Sequence, residues 1–397
     1  MRGKVLFLLA WVLILFGGLW QSDVKAQSDS TKYLLLNYAL QIEITDAVDQ
    51  MYNFNFHKAE VEFNWMKYRY PEHPLPYFLF AVSKWWQMLP YGYEDELLEE
   101  QFQKYIEVTI KKAEKLYDAD EENIEASFFL AGAYGFLGRY HSEKKNWLSA
   151  AGAGKNSLKY LRVIQGNESF SPEILFGDAL FNYYASWLRD EYPLLRPVMI
   201  FFPKGDMELG INQLETVSRN AFYTRIEAIY FLMRIRAYET KELEEALRLA
   251  ESVHRKYPNN PYFHRFYTQM LYNNGQYNEA LSESLEILKR YEARQLGYEE
   301  ISAKYAHFFS GHILRGRGQH EKAQVHFYET VRFNEMLGAD DSGYYLYAQY
   351  YLAEYEMQKG SYDMAMDRVK QIRKNTKRKE KIAEMARDLR KKIRKSS

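Results

Sequence analysis

Four histidines fall within twenty residues: His307, His312, His320 and His326. Imidazole is the side chain most often recruited for proton transfer and metal binding. An ion shared on one helix needs a spacing such as i, i+4, which brings both rings to one side. His307 and His312 are five apart and point to different sides; His320 and His326 are six apart on the next helix. No His-Glu-x-x-His pattern occurs, so these read as surface and packing histidines and no metal is expected. Carboxylates are plentiful at Glu94, Asp95, Glu96, Glu99, Glu100 and from Asp118 to Glu122. General acid–base catalysis needs two carboxylates held across a cleft with separated pKa values, whereas runs like these form a solvated helix face. No nucleophile elbow, phosphate loop or dinucleotide fingerprint is present, and Gly132, Gly135 and Gly138 follow no strand. The absence of cysteine removes thiolate nucleophiles, thiolate metal sites and disulfides. The expectation is a chain that is not an enzyme and takes no cofactor.

Binding chemistry is better represented. Aromatic and polar side chains form stripes at helical spacing: Phe231, Ile235 and Tyr238; Tyr262, Arg265, Gln269 and Tyr272; Tyr305, Phe308, His312 and Arg315; Tyr347, Tyr350, Glu354 and Met357. Aromatics with interspersed Arg, Gln and His are the residue types of binding hot spots. They suit peptides, and also flat sugar faces. In a chain with 35 Tyr and 24 Phe, some of these rings must also pack between helices.

What would position the stripes is a register that returns every 34 residues. Ala246 and Ala280 are 34 apart, each behind a turn: Lys241-Glu-Leu243-Glu-Glu-Ala246 and Gly275-Gln-Tyr277-Asn-Glu-Ala280. The signature recurs as Gly318-Gln-His320-Glu-Lys-Ala323 and Gly360-Ser-Tyr362-Asp-Met-Ala365. A period in this range marks a helical repeat array. Two clean repeats span Glu227–Asn260 and Pro261–Arg294, where Pro258 stops one helix and Asn260 with Pro261 starts the next. Two more cover about 304–337 and 346–379, each behind an insertion. Phe56-His-Lys-Ala59, Phe63, Met66 and Tyr70-Pro71 fit a repeat over about 40–73, and Ala81 marks another. A long acidic helix over about 94–117 follows.

The turn, the small residue eight positions into the first helix (Gly311, Ala353, Ala47, Ala81) and the closing Tyr-Pro resemble the tetratricopeptide repeat. The match is good over about 227–379 and fair over 40–106; Thr268 and Arg234 depart from the small position. The middle resembles uncharacterised exported bacterial tetratricopeptide proteins and, distantly, the tetratricopeptide 39 and Iml2 type. The resemblance implies an all-α, right-handed superhelical solenoid of antiparallel helix pairs. It also implies ligand binding on a concave face lined by the first helix of each pair.

Residues 122–225 read as degenerate helix pairs. Gly132, Gly135 and Gly138 on one helix, and the patch Ala150-Ala151-Gly152-Ala153-Gly154 on the next, suggest close backbone approach. Residues 189–205 form an apolar loop punctuated by Pro193, Pro197 and Pro203, expected to be buried. Residues 1–26 read as a cleaved secretory signal: Arg2 and Lys4, an apolar run Val5 to Leu19, then Val24-Lys25-Ala26. Residues 27–121 then carry the N-terminal helix pairs and 226–379 the regular array. Basic and acidic residues balance at 53 each, which argues against bulk nucleic-acid binding. The C-terminal stretch from Lys370 is the exception, with 13 basic and 3 acidic residues. Within it, 380–397 reads as an amphipathic capping helix on Ile382, Met385, Leu389 and Ile393, with membrane contact as a second use.

The resulting expectation is an exported scaffold of a bacterial periplasm or outer surface. It would bind protein or peptide partners of the cell envelope; the alternative is a glycan- or nutrient-binding surface protein.

Overall fold

The structure is a computed structural model describing residues 33–167, 171–191, 204–377 and 379–396. Every regular element among them is a helix. The expected signal at 1–26 and residues 192–203 of the expected apolar loop lie outside the described residues. The chain forms two compact units, one of residues up to 89 with 93–242, the other of 90–92 with 243 onward. The boundary falls between the two helices of the expected repeat Glu227–Asn260, seventeen residues beyond the expected start of the array at 226.

The second unit holds α11 (Leu243–Lys256), α12 (Pro261–Asn273), α13 (Tyr277–Glu292), α14 (Glu300–Gly316), α15 (His320–Met336), α16 (Gly343–Gln358), α17 (Tyr362–Lys374) and α18 (Lys381–Ser396). Each packs on the next, and α12 also meets α14, as α14 meets α16. That is a series of helix pairs whose first helices are neighbours, the arrangement implied by the tetratricopeptide-like register. Ala246, Ala280, Ala323 and Ala365 are all buried, so the small residue of each turn sits where helices touch. A Cβ on Gly311 would lie 2.9 Å from the Phe327 ring, which explains a glycine at that crossing. Pro261 opens α12, and the Asn260 side chain accepts from the backbone N–H groups of Tyr262 and Phe263 at 3.0 and 3.2 Å.

The turns between paired helices share one geometry. Gly275, Gly318 and Gly360 have φ of 75°, 74° and 77°. The following N–H reaches back to the third-last carbonyl of the helix: Gln276 to Leu271, Gln319 to Leu314 and Ser361 to Glu356, each at 2.9 Å. This satisfies carbonyls that the helix end leaves open, and the left-handed backbone it requires is cheapest for glycine. Lys241 takes the equivalent place in the first repeat with φ 59°. At the far end, α18 buries Ile382, Leu389 and Ile393 against Leu352, Val369 and Ile372, with Met385 half-buried beside them. It packs on α17 and α16 and turns its basic residues outward, as a capping helix should.

The first unit contains α1 (Tyr38–Glu43), α2 (Thr45–Tyr52), α3 (Phe56–Arg69), α4 (Pro74–Met88), α5 (Glu96–Ala119), α6 (Ile124–Glu143), α7 (Trp147–Ile164), α8 (Pro172–Glu191), α9 (Met207–Asn220) and α10 (Arg225–Arg234). A π turn, Ile235–Glu239, continues α10. The expected close approach in the middle is present: Gly138 of α6 lies against Ala150, Ala153 and Gly154 of α7. A tighter one joins α8 and α9. A Cβ on Gly210 would fall 2.6 Å from the Tyr183 nitrogen, so no other residue fits there without parting the helices. Polar anchors complete this unit. The buried Glu173 carboxylate accepts from the backbone N–H groups of Phe222, Tyr223 and Thr224 at 2.5, 3.0 and 2.9 Å and from the Thr224 hydroxyl at 2.7 Å. It thereby caps the approach to α10 from the start of α8. Glu227, also buried, accepts from Trp86 Nε1 at 2.9 Å and from the Tyr52 hydroxyl at 3.5 Å.

Among the described residues, no helix is long and apolar enough to cross a membrane.

Candidate functional site: a polar-aromatic ladder on the second unit

Three first helices, α12, α14 and α16, bring most of the expected stripe residues together. Arg265 of α12 stacks over Tyr262 of its own helix and Tyr305 of α14, 5.6 and 5.7 Å from the ring centres, and donates to the Ser302 hydroxyl at 3.0 Å. Gln269 approaches the Tyr344 hydroxyl at 3.5 Å. Tyr272 and His312 Nδ1 are hydrogen-bonded at 2.8 Å. From α14, Arg315 donates to Glu354 Oε2 at 2.9 Å and lies 4.5 Å over the Tyr351 ring of α16. Tyr350 donates to the other Glu354 oxygen at 2.9 Å. Tyr305 meets Tyr344 edge-to-face at 4.9 Å, and Tyr347 lies near Tyr351 at 6.3 Å.

Links run within each helix, between α12 and α14, between α14 and α16, and through Gln269 from α12 to α16, so the side chains are held in place rather than loose. Tyr262, Arg265, Gln269, Tyr272, Tyr305, His312, Arg315, Tyr347 and Tyr350 are all half-buried. Burial raises the Tyr272, Tyr350 and Tyr351 hydroxyls above the usual phenol range, and they remain neutral donors at physiological pH. Burial, then the adjacent Arg315, lowers His312, so it meets Tyr272 as a neutral ring. The face therefore carries fixed aromatic edges, two guanidinium groups and one carboxylate.

Phe308, Phe231, Ile235 and Tyr238 were expected on the face and do not join the ladder. Phe308 is only 6% exposed; its ring packs on Tyr344 at 4.7 Å within the core shared by α14, α15 and α16. It is a core residue and not part of a binding face. Helical spacing alone cannot separate the flank of a stripe from its buried edge, and Phe308 fell on the buried side. Phe231 and Tyr238 belong to the first unit. There Phe231 packs against Phe176 and Tyr184 at about 6 Å, while Tyr238 is 39% exposed. Ile235, on the same stripe, is buried, whereas Met357 is half-buried. Conversely, Tyr344, Tyr351 and Ser302 belong to the ladder and were not expected. Tyr344 and Tyr351 lie one turn either side of the expected Tyr347, a signal already present in the sequence.

The histidines resolve differently from their spacing. His307 Nδ1 and His326 Nδ1 sit 2.9 Å apart, a hydrogen-bonded pair across α14 and α15. Burial drives His307 down to about 3 and lowers His326 as well. His312 faces the other way, into the ladder, as the five-residue spacing implied. A different trio gathers elsewhere: His254 near the end of α11, His264 in the first turns of α12, and Glu283 of α13. His264 Nε2 donates to Glu283 Oε2 at 2.8 Å, and His254 Nε2 lies 3.8 Å from the same oxygen. The residues are 10 and 19 positions apart, and only the folding of three helices makes them neighbours.

No family model matches the chain, and no curated protein matches it. Among solved structures, the chain is similar to the crystal structure of the P58(IPK) TPR domain. The identity is 15%, over 93% of this chain and 99% of that one, with a TM-score of 0.23.

Proposed function

We propose that this chain is a non-enzymatic scaffold that binds a protein or peptide partner along the ladder of α12, α14 and α16. The observation that carries the reading is the continuous run Arg265–Tyr305, Tyr272–His312 and Arg315–Glu354. It places aromatic edges and paired charges on three successive first helices, already locked by hydrogen bonds. A preformed face of this kind loses little side-chain entropy on binding, and Tyr and Arg are the residues that concentrate binding energy. The reading extends to an exported protein of the bacterial periplasm or outer surface, with a partner from the cell envelope. That part is supported by the charged start, apolar run and small residues of positions 1–26. The outward-facing basic residues of α18 also suit contact with an anionic membrane surface.

The test is selection of peptides from a random library on the purified chain, with thermal melting run alongside. Peptides that lose at least about tenfold in affinity to Arg265→Ala and Gln269→Ala, at unchanged melting temperature, support the ladder, since truncating a hot spot costs ~2 kcal/mol. Peptides held equally by both variants would place binding elsewhere. Binding on a glycan array, with no peptide recovered, would replace this reading with the sugar-binding one.

A further inference from the structure

The trio on α11, α12 and α13 has the chemistry of a metal site, separate from the ladder. Two imidazoles and a carboxylate converge with all three ligand atoms within 4.8 Å of one another. A tetrahedral zinc site takes ligands of this class at about 2.0–2.2 Å from the ion, and three protein ligands leave its fourth position for water. The surroundings are those of a built site. His264 is fully buried, and its second nitrogen, Nδ1, is fixed at 3.0 Å by the Tyr298 hydroxyl. Tyr298 in turn accepts from Arg290 at 3.0 Å. Ligand imidazoles are held in this way, by a partner on the nitrogen that does not touch the ion.

His254 supplies the second observation. Its ring is clamped between His264, 4.5 Å away and stacked, and Tyr267 at 5.2 Å. Its Nδ1 is buried without a hydrogen-bond partner, and its Nε2, at 3.8 Å from Glu283, is too distant for one. Packing thus aims an imidazole at a carboxylate and a second imidazole while giving it no hydrogen bond of its own. A satisfied core histidine would have one.

We propose that His254 Nε2, His264 Nε2 and Glu283 Oε2 bind one divalent ion of the zinc class, tying three consecutive helices together. Binding uses the Nε2 lone pair of His264, so its proton moves to Nδ1, where the Tyr298 oxygen accepts it. Glu283 is 30% exposed and gives the ion a route in from solvent. The ion's role is to brace the start of the array, with no reaction implied.

The test uses the full, tag-free chain after dialysis against a chelator, titrated with Zn²⁺ in competition with a chromophoric chelator. One saturable equivalent is expected, with Co²⁺ giving the visible absorption of a tetrahedral site. His254→Gln should weaken Zn²⁺ binding at least about tenfold, because even the outer partners of ligands are worth 10–100-fold. Because Gln also removes the ring's stacking on His264 and Tyr267, melting is compared with and without Zn²⁺: the ion should raise the melting temperature of the native chain and not that of His254→Gln. Glu283→Gln should weaken binding likewise, while His326→Gln should leave it intact. No saturable binding, binding unchanged in His254→Gln, or binding lost with His326→Gln would each overturn the assignment.

Discussion

The two units use the same turn and secure it with different residues. In the second unit the left-handed position is glycine at 275, 318 and 360. In the first unit Phe54 and Lys145 take it, with φ of 64° and 59°. The hydrogen bonds are nevertheless the same: Asn55 to Gln50 at 2.9 Å and Asn146 to His141 at 2.8 Å. Five residues past each of them, Ala59 and Ala150 are fully buried, like their counterparts at 280, 323 and 365. The register therefore runs through both units, and what fades in the first is the residue that advertises it. A non-glycine residue accepts about 1 kcal/mol of backbone strain there. The units also differ in their anchors. Both are filled by rings, around Phe308 and Phe327 in the second and around Trp85 and Phe102 in the first, but among the described residues the first buries the carboxylates Glu125, Glu173, Asp178 and Glu227 where the second buries Glu356.

If that contrast is right, Phe308→Ala should be strongly damaging in the second unit, costing about 3–5 kcal/mol through cavity formation. Urea unfolding of the full chain, with hydrogen exchange to locate the loss in α14 to α16, measures it. A cost below about 1 kcal/mol would return Phe308 to the surface. In the first unit, Glu227→Ala should cost about 3 kcal/mol, because the Trp86 N–H and the Tyr52 hydroxyl lose their buried acceptor. The exchange loss should then appear in α2, α4 and α10. If Glu227→Leu proved as damaging, shape and not the acceptor would be the anchor.

A pH experiment sharpens the contrast further. Burial puts His307 at about 3 in the folded chain, below its ordinary value, with His326, Arg332 and Glu329 as the ionisable groups around the pair. The unfolded chain takes up a proton at about pH 6.5, and the folded chain does not until about pH 3. Stability contributed by the neutral ring is thus complete above pH 6.5 and declines as pH falls from there toward 3. The slope is about 1.4 kcal/mol per pH unit. His307→Gln should flatten that limb of the stability curve; an unchanged limb would show that the pair does not control it. The smallest effects concern the turns. Lys145→Gly should stabilise by about 0.5–1 kcal/mol and Gly318→Ala should destabilise by about 1 kcal/mol, read as shifts in urea midpoint. Equal signs for the two would refute a shared left-handed turn.

Much of the second unit was legible because glycine and alanine are local signals. The Gly-x-x-x-x-Ala spacing specifies a helix end and a helix contact within six residues, and Pro261 after Asn260 specifies a start. In the first unit Lys145 and Ala150 hold the same places without the glycine, and the residues between 122 and 225 looked irregular although their turn is not. The ladder was half legible. Period alone put Tyr272, His312 and Arg315 on one side, but it also placed Phe308 there, since a stripe's edge is decided by what packs beside it.

By itself the sequence determined the local events: helices, their caps, the turn register, the terminal amphipathic helix and the absence of thiol chemistry. These depend on interactions within a few residues, where backbone preference and side-chain spacing suffice. The tertiary structure alone decided which residues meet across helices: Arg315 with Glu354, His307 with His326, and His254 with His264 and Glu283. Such pairings depend on crossing angle and rotation about each helix axis, which arise from the sum of many packing contacts. No spacing along the chain encodes them.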